Sequence, residues 1–259
     1  MKRCALSLFA AIAAFASAVA AEPARTNGVL CLTFDDPNWE RWVKAIPLFE
    51  KYGAHASFFP NGTLGARALE CLKMLHDRGH TVGPHTKRHA DAPPYFEKHG
   101  GEAYWLNEVK PQMDEFASVG IVPRSMAYPN NRRTDETDEF LAKKGFRHFR
   151  SGCPARPFDK DGTKRAGLKP LAEIDYAFVK RSDLGRLHRG VGIGEVYNTE
   201  IDDICAGIRR AAKRGEAVVF YSHDISPDAK GINMKTSWLE RMLETAKSEG
   251  MDILGLDDL

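Results

Sequence analysis

The sequence predicts an α/β fold, a parallel sheet closing into a barrel-like ring with helices around it. Short apolar runs bounded by turn residues alternate along the chain with segments of helical periodicity. The 259 residues, 43% of them hydrophobic, suffice for one large domain with a real core. Chemistry-bearing strings fall at the ends of several different apolar runs, and a ring gathers such ends at one rim, so a barrel is favoured over an open doubly wound sheet.

The elements follow in order. Residues 1–21 read as a secretory leader: Lys2 and Arg3 open it, an uncharged Ala-rich stretch follows, and Ala18-Val19-Ala20 or Val19-Ala20-Ala21 fits the small-x-small cleavage rule. The mature domain is then 22–259, with no other segment able to span a membrane. Residues 28–34 form an apolar run between turn residues, a buried strand. Residues 39–52 have helical periodicity that Pro47 must kink or split. A strand is expected at 54–59, and a helix at 67–78 with Leu69, Leu72 and Leu75 on one face and Gly79 ending it. A third strand at 80–83 runs into a histidine pair. The alternation continues with helix 103–119, strand 125–128, helix 135–144, strand 146–150, helix 201–214, strand 217–221, helix 237–249 and strand 252–254. Residues 151–199 break the rhythm with Gly, Arg, Lys and Asp, and read as a surface excursion holding one weak strand at 174–179.

Formal charge is +2, and Lys2 and Arg3 account for it. Bulk charge therefore gives no argument for nucleic acid or an anionic membrane as a partner. After removal of the leader, Cys31, Cys71, Cys153 and Cys205 remain, with no CxxC spacing for a cysteine metal site. Cys31 in an apolar run and Cys71 on a helical face read as buried thiols, with a disulfide left open.

Two strings carry the chemistry. Thr33-Phe34-Asp35-Asp36 supplies adjacent carboxylates, and His85-Thr86-Lys87-Arg88-His89 supplies two imidazoles at i, i+4. One carboxylate and two histidines make a three-ligand set that leaves coordination positions open. The other carboxylate can act as a base on water, because neighbouring side chains in an extended turn face opposite ways. One helical turn would place both imidazoles on one side. Among the aromatics near these strings, Trp39 is the best placed to stack on a sugar ring. Asn61-Gly62-Thr63 matches a glycosylation sequon and carries no assigned role.

With these strings in hand, the chain resembles the polysaccharide deacetylases, the NodB-homology or carbohydrate esterase family 4 group. The Thr33–Asp36 string resembles the family's first motif, Gly79–His89 its second, and Tyr221-Ser222-His223-Asp224 its last. The resemblance runs from about residue 28 to 259 and implies a distorted (β/α) barrel. It implies Asp36, His85 and His89 as ligands of a divalent metal, Zn²⁺ first, with Co²⁺ or another divalent ion as alternatives. It implies Asp35 as general base and His223 as general acid. The backbone N–H of Asn130 would face the oxyanion, with Tyr128 lining the pocket. The substrate implied is an N-acetylated glycan outside the cytoplasm, in a secreted or periplasmic setting.

The third motif departs from the family. Ser125-Met126-Ala127-Tyr128-Pro129-Asn130-Asn131 puts Ala127 where an arginine usually pairs with the catalytic aspartate. Arg150, ending the next expected strand, is the candidate substitute, and Arg132 is second. The family's fourth motif, an Asp followed by Trp, is not found. Two rivals follow: an acetyl esterase or cyclic amide or imide hydrolase on the same scaffold, and a glycan-binding relative without turnover.

Overall fold

The computed structural model describes residues 27–156 and 168–259. The expected leader lies outside the described residues, among which no helix is long and apolar enough to cross a membrane. A parallel sheet forms the frame: β1 (Val29–Asp35), β2 (Ser57–Phe59), β3 (Thr81–Val82), β4 (Ser125–Ala127), β5 (His148–Gly152), β7 (Leu187–Gly192) and β8 (Glu216–Ser222), in the order β3-β2-β1-β8-β7-β5-β4. β6 (Phe178–Lys180) adds antiparallel to the lower half of β8, and β11 (Asp252–Leu254) pairs with the lower half of β1. A separate two-stranded pair, β9 (Ile225–Ser226) and β10 (Met234–Lys235), lies just beyond β8.

The sheet curls into a nearly closed barrel. Its two edges meet where the Ala127 N–H donates to Pro84 O at 3.3 Å. Gly83 permits this approach, since a Cβ there would stand 2.1 Å from Ser125 O. β1 is buried at every residue, as expected of a parallel strand covered on both faces. Phe34, Phe58, Phe49 and Trp42 pack as one aromatic cluster between sheet and helices. The Trp42 indole N–H also donates to His223 O at 2.8 Å, tying the core to a loop at the barrel rim.

Pro47 splits the first helical segment as its chemistry requires, into Trp39–Lys44 and Ile46–Tyr52. The later helices and the closing strand stand close to their expected bounds, at Ile201–Arg214, Thr236–Ser248 and Asp252–Leu254. The excursion is corrected. It contributes β7, a parallel strand paired with both β5 and β8, and β6 stands at Phe178–Lys180 rather than 174–179. Leu-His-Arg-Gly-Val-Gly carries only Leu187 and Val191 as bulky apolar residues, so pairing rather than side-chain pattern makes it a strand. Cys31 and Cys71 are buried thiols, and no disulfide joins the described cysteines.

Two buried histidines below the rim give a prediction on stability. His80 Nδ1 accepts the Ala56 N–H at 3.1 Å, and His188 Nε2 lies 3.0 Å from His148 Nδ1. Burial pushes the imidazoles of His80 and His188 down to about 4 from 6.5. Their folded-state affinity for a proton is below the unfolded one. Each contribution is therefore present in full above pH 6.5 and lost as pH falls toward 4. Urea midpoints should drop between pH 6.5 and 4 by up to about 3 kcal/mol of stability per histidine, and His80→Gln should flatten part of that slope. A slope unchanged in His80→Gln contradicts this.

Candidate functional site

Several strands and the loops that follow them deliver side chains to one cavity of about 340 Å³ at the C-terminal ends of the sheet. β1 ends in Asp35, the loop after β3 carries His85 and His89, β5 carries Arg150, and His223 follows β8. Tyr128, Asn130 and Asn131 enter from the turn after β4.

The two adjacent aspartates part company because Asp36 takes a left-handed backbone, φ 72°. Its N–H donates to Phe59 O at 3.2 Å, which ends the β1–β2 pairing and turns the side chain aside. Asp36 Oδ1 lies 4.0 Å from His85 Nε2 and 3.8 Å from His89 Nε2. The three donors fall within 4.8 Å of one another. Donors about 2.1 Å from a shared tetrahedral ion stand about 3.4 Å apart, so the two carboxylate–imidazole separations are about half an ångström from that spacing. Tautomer chemistry agrees. His85 Nδ1–H donates to Ala127 O at 2.8 Å, which fixes the proton there and leaves the Nε2 lone pair toward Asp36. Burial pushes the His85 imidazole down to about 4, so it is neutral at physiological pH, the form that ligates. Asn61 Nδ2 donates to Asp36 Oδ1 at 2.8 Å and steadies it.

The histidine pair is not helical, which corrects the expectation of a helical turn. The loop is irregular, and Thr86 (φ 67°) and His89 (φ 55°) bend it so that the imidazole centroids meet at 4.9 Å. Left-handed residues with a Cβ carry strain of about 1–3 kcal/mol each and gather at functional sites. Asp36, Thr86, His89, Asn130 and Asn131 are five of the six such residues described, and all five lie in or beside this cavity.

Asp35 points the other way and is 3% exposed. Its Oδ2 pairs with the Arg150 guanidinium, itself 1% exposed, while Oδ1 is buried with no hydrogen-bond partner. Burial opposes ionisation of Asp35, but the charge of Arg150, aided by His85 and His223, outweighs it and holds the carboxyl below its ordinary range. Arg150 reaches this place because it is the register partner of Ala127 on the neighbouring strand. The cation stands one strand over from Ala127, at the same height in the sheet. Gly190 on β7 leaves room for the neighbouring Tyr221 ring, since a Cβ there would meet Tyr221 Cδ1 at 3.0 Å. The guanidinium lies 5.0 Å from the Tyr221 ring centroid and donates to Asn131 Oδ1.

His223 Nδ1–H donates to Ile232 O at 3.1 Å, leaving Nε2 3.8 Å from Asp36 Oδ2. Asp224 does not orient that ring; it pairs with Arg41 and accepts the Ile225 N–H at 2.7 Å. Asn130 lines the cavity with φ 51°, its side chain held by Asp91 at 2.8 Å. Arg132 also pairs with Asp91, at 2.8 Å, and not with Asp35. Tyr128 is buried beside the cavity, its hydroxyl donating to Asp138 at 2.7 Å. Trp39 is corrected: it does not line the cavity, and is half-buried against the main core. Aromatic lining comes instead from Tyr197 and Tyr221, edge to face with centroids 5.5 Å apart. Tyr197 lies in the excursion and gave no pattern to find. Asn61 and Asn131 were visible only as a sequon and a motif tail.

Comparison with known proteins bears on the family and the fold. Residues 23–149 match the family model described as polysaccharide deacetylase. A chitin deacetylase of Arthroderma benhamiae is 34% identical over 68 residues, 25% of this chain and 18% of that relative's length. The solved chitin deacetylase of the fungal pathogen Colletotrichum lindemuthianum superposes with a TM-score of 0.56 at 16% identity, over 90% of this chain and 87% of that one. A family 4 carbohydrate esterase of Bacillus subtilis gives 0.55 at 14% identity, over 90% and 80%. These structures share the nearly closed barrel.

Proposed function

We propose, for a chain that belongs to the polysaccharide deacetylase family through residues 23–149, that it is a metal-dependent hydrolase removing N-acetyl groups from a carbohydrate outside the cytoplasm. The observation that carries this reading is the split between adjacent aspartates, Asp36 toward two histidines and Asp35 toward a buried arginine with one oxygen left free.

Asp36, His85 and His89 would hold the ion, and Zn²⁺ suits a set of one carboxylate and two imidazoles. A divalent cation there supplies Lewis acidity, polarising the acetamide carbonyl and acidifying water. Asp35, which lines the cavity and keeps Oδ1 unpaired, takes the proton from the attacking water. Arg150 keeps that carboxylate ionised and aimed. The backbone N–H of Asn130 faces the developing oxyanion. His223, its Nδ1 fixed on Ile232 O, gives a proton from Nε2 to the leaving nitrogen, so acetate and a free amine depart. Removal of the 1–21 leader would deliver the enzyme to glycans of the envelope or surroundings.

The test is acetate release from chitin oligomers, peptidoglycan, poly-N-acetylglucosamine and acetylxylan, and ring opening of cyclic imides, with and without chelator. Release from an N-acetylated glycan should vanish on chelation and return with Zn²⁺ or Co²⁺. Release from acetylxylan alone selects an esterase, ring opening of an imide alone selects a cyclic amide or imide hydrolase, and reaction with none when metal is present selects a binding protein.

A further inference from the structure

One helical run, facing both loops that carry the donor set, does more than fill the core. It comprises a helix at Gly101–Tyr104, a π turn at Trp105–Val109 and a helix at Lys110–Ala117. Pro111 explains the π turn, because it lacks an N–H and its ring would collide with the carbonyl one turn back. Tyr104, Glu108, Gln112 and Phe116 recur every four residues and are all 0% exposed. An amphipathic helix fills such a stripe with apolar side chains. A carboxylate and an amide here stay only where specific partners hold them.

Those partners are the metal-site loops. Glu108 O accepts the Lys87 N–H at 2.8 Å, Glu108 Oε2 accepts the Arg88 N–H at 3.0 Å, and the carboxylate pairs with the Arg88 guanidinium. Lys87 and Arg88 form the turn between His85 and His89, flanked by the left-handed Thr86 and His89. Tyr104 Oη donates to Ala90 O at 3.3 Å just beyond it. Four residues on, Gln112 Nε2 donates to Pro60 O at 3.0 Å and to Gly62 O at 2.9 Å. These carbonyls flank Asn61, whose amide donates to Asp36 Oδ1. Pro60 O also accepts the His85 N–H at 3.1 Å, so the two loops share one anchor.

We propose that Glu108 and Gln112 are positioning residues of the metal centre, Glu108 setting His89 against His85 and Gln112 setting Asp36 through Asn61. The inference rests on the reading of Asp36, His85 and His89 as ligands. Groups that orient metal ligands typically change affinity 10–100-fold when removed.

The experiment titrates Zn²⁺ against a competing chelator in the full chain, with Co²⁺ absorption spectra and metal-free Tm recorded alongside. Glu108→Ala and Gln112→Ala should each weaken Zn²⁺ binding about 10–100-fold and alter the Co²⁺ spectrum. Glu108→Gln, which keeps an acceptor for the Arg88 N–H, should recover much of the Glu108→Ala loss, and kcat should return at saturating Zn²⁺. Dissociation constants within twofold of wild type in both alanine variants overturn the proposal. Should the variants fail to fold, amide exchange in the wild-type protein decides. Metal-free Lys87 and Arg88 amides protected like those of the sheet support the clamp, and exchange as fast as an open loop overturns it. A wild-type chain that binds no Zn²⁺ overturns the metal reading beneath it, whereas tight wild-type binding with unaffected variants overturns only this inference.

Discussion

Asp35→Asn and His223→Ala should each keep bound metal and lose about two to four orders of magnitude in turnover. Asparagine in place of Asp35 preserves the shape beside Arg150 but has no basic oxygen for the proton of water. Its buried Oδ1 position, without a hydrogen-bond partner in the native chain, is where that proton would go. The role proposed for His223 lies at the other end of the reaction. Alanine there leaves the leaving nitrogen without a donor, while Asp36, His85 and His89 stay as they are. The measurement is kcat with metal content on the same samples. Either variant within tenfold of wild type removes that residue from proton transfer.

Arg150→Met should show its loss in stability and in pH dependence together. Asp35 and Arg150 are both almost wholly buried, and removing one partner of such a pair costs about 3–5 kcal/mol. In the native chain the Asp35 carboxyl is held below its ordinary range, so the pair's contribution is present above the unfolded carboxyl's pKa and is lost as pH falls through the folded one. Without the guanidinium, only His85 and His223 oppose burial, and that pKa rises. The deficit of Arg150→Met should therefore be greatest near neutral pH and shrink in acid, where a protonated Asp35 needs no cation. The acidic limb of its pH–rate profile should move upward with metal content unchanged. Arg132→Met, which loses only a pair to Asp91, should leave the limb in place. A limb unmoved in Arg150→Met ends the idea that this arginine substitutes for the one absent at Ala127.

Most of the frame was legible because burial on both faces writes itself as apolar runs. β1 and β8 are continuous runs of that kind, and Ile201–Arg214 has strong helical periodicity. β7 was not legible, because its glycines serve neighbours rather than the strand itself: Gly190 makes room for the Tyr221 ring, and Gly192 for the Tyr197 ring. Arg150 could be named from its strand position, but its register opposite Ala127 exists only once β4 and β5 pair. The histidine loop shows the converse. The spacing suggested a helix, yet two left-handed residues and the Glu108 contacts bring the imidazoles together without one. Trp39 failed as a platform because nearness in sequence to Asp36 does not turn its ring toward the cavity; core packing claims it. Tyr197 reaches the cavity through tertiary contact alone, from a segment without pattern.

The two adjacent carboxylates are assigned different jobs, and the metal content of Asp35→Asn beside Asp36→Asn measures that division. Both proteins would be purified, loaded with Zn²⁺, freed of loose ion and analysed for metal per chain. The geometry predicts near-native zinc in Asp35→Asn, whose side chain faces Arg150, and little in Asp36→Asn, whose side chain faces His85 and His89. Zinc lost from Asp35→Asn and retained by Asp36→Asn would contradict it.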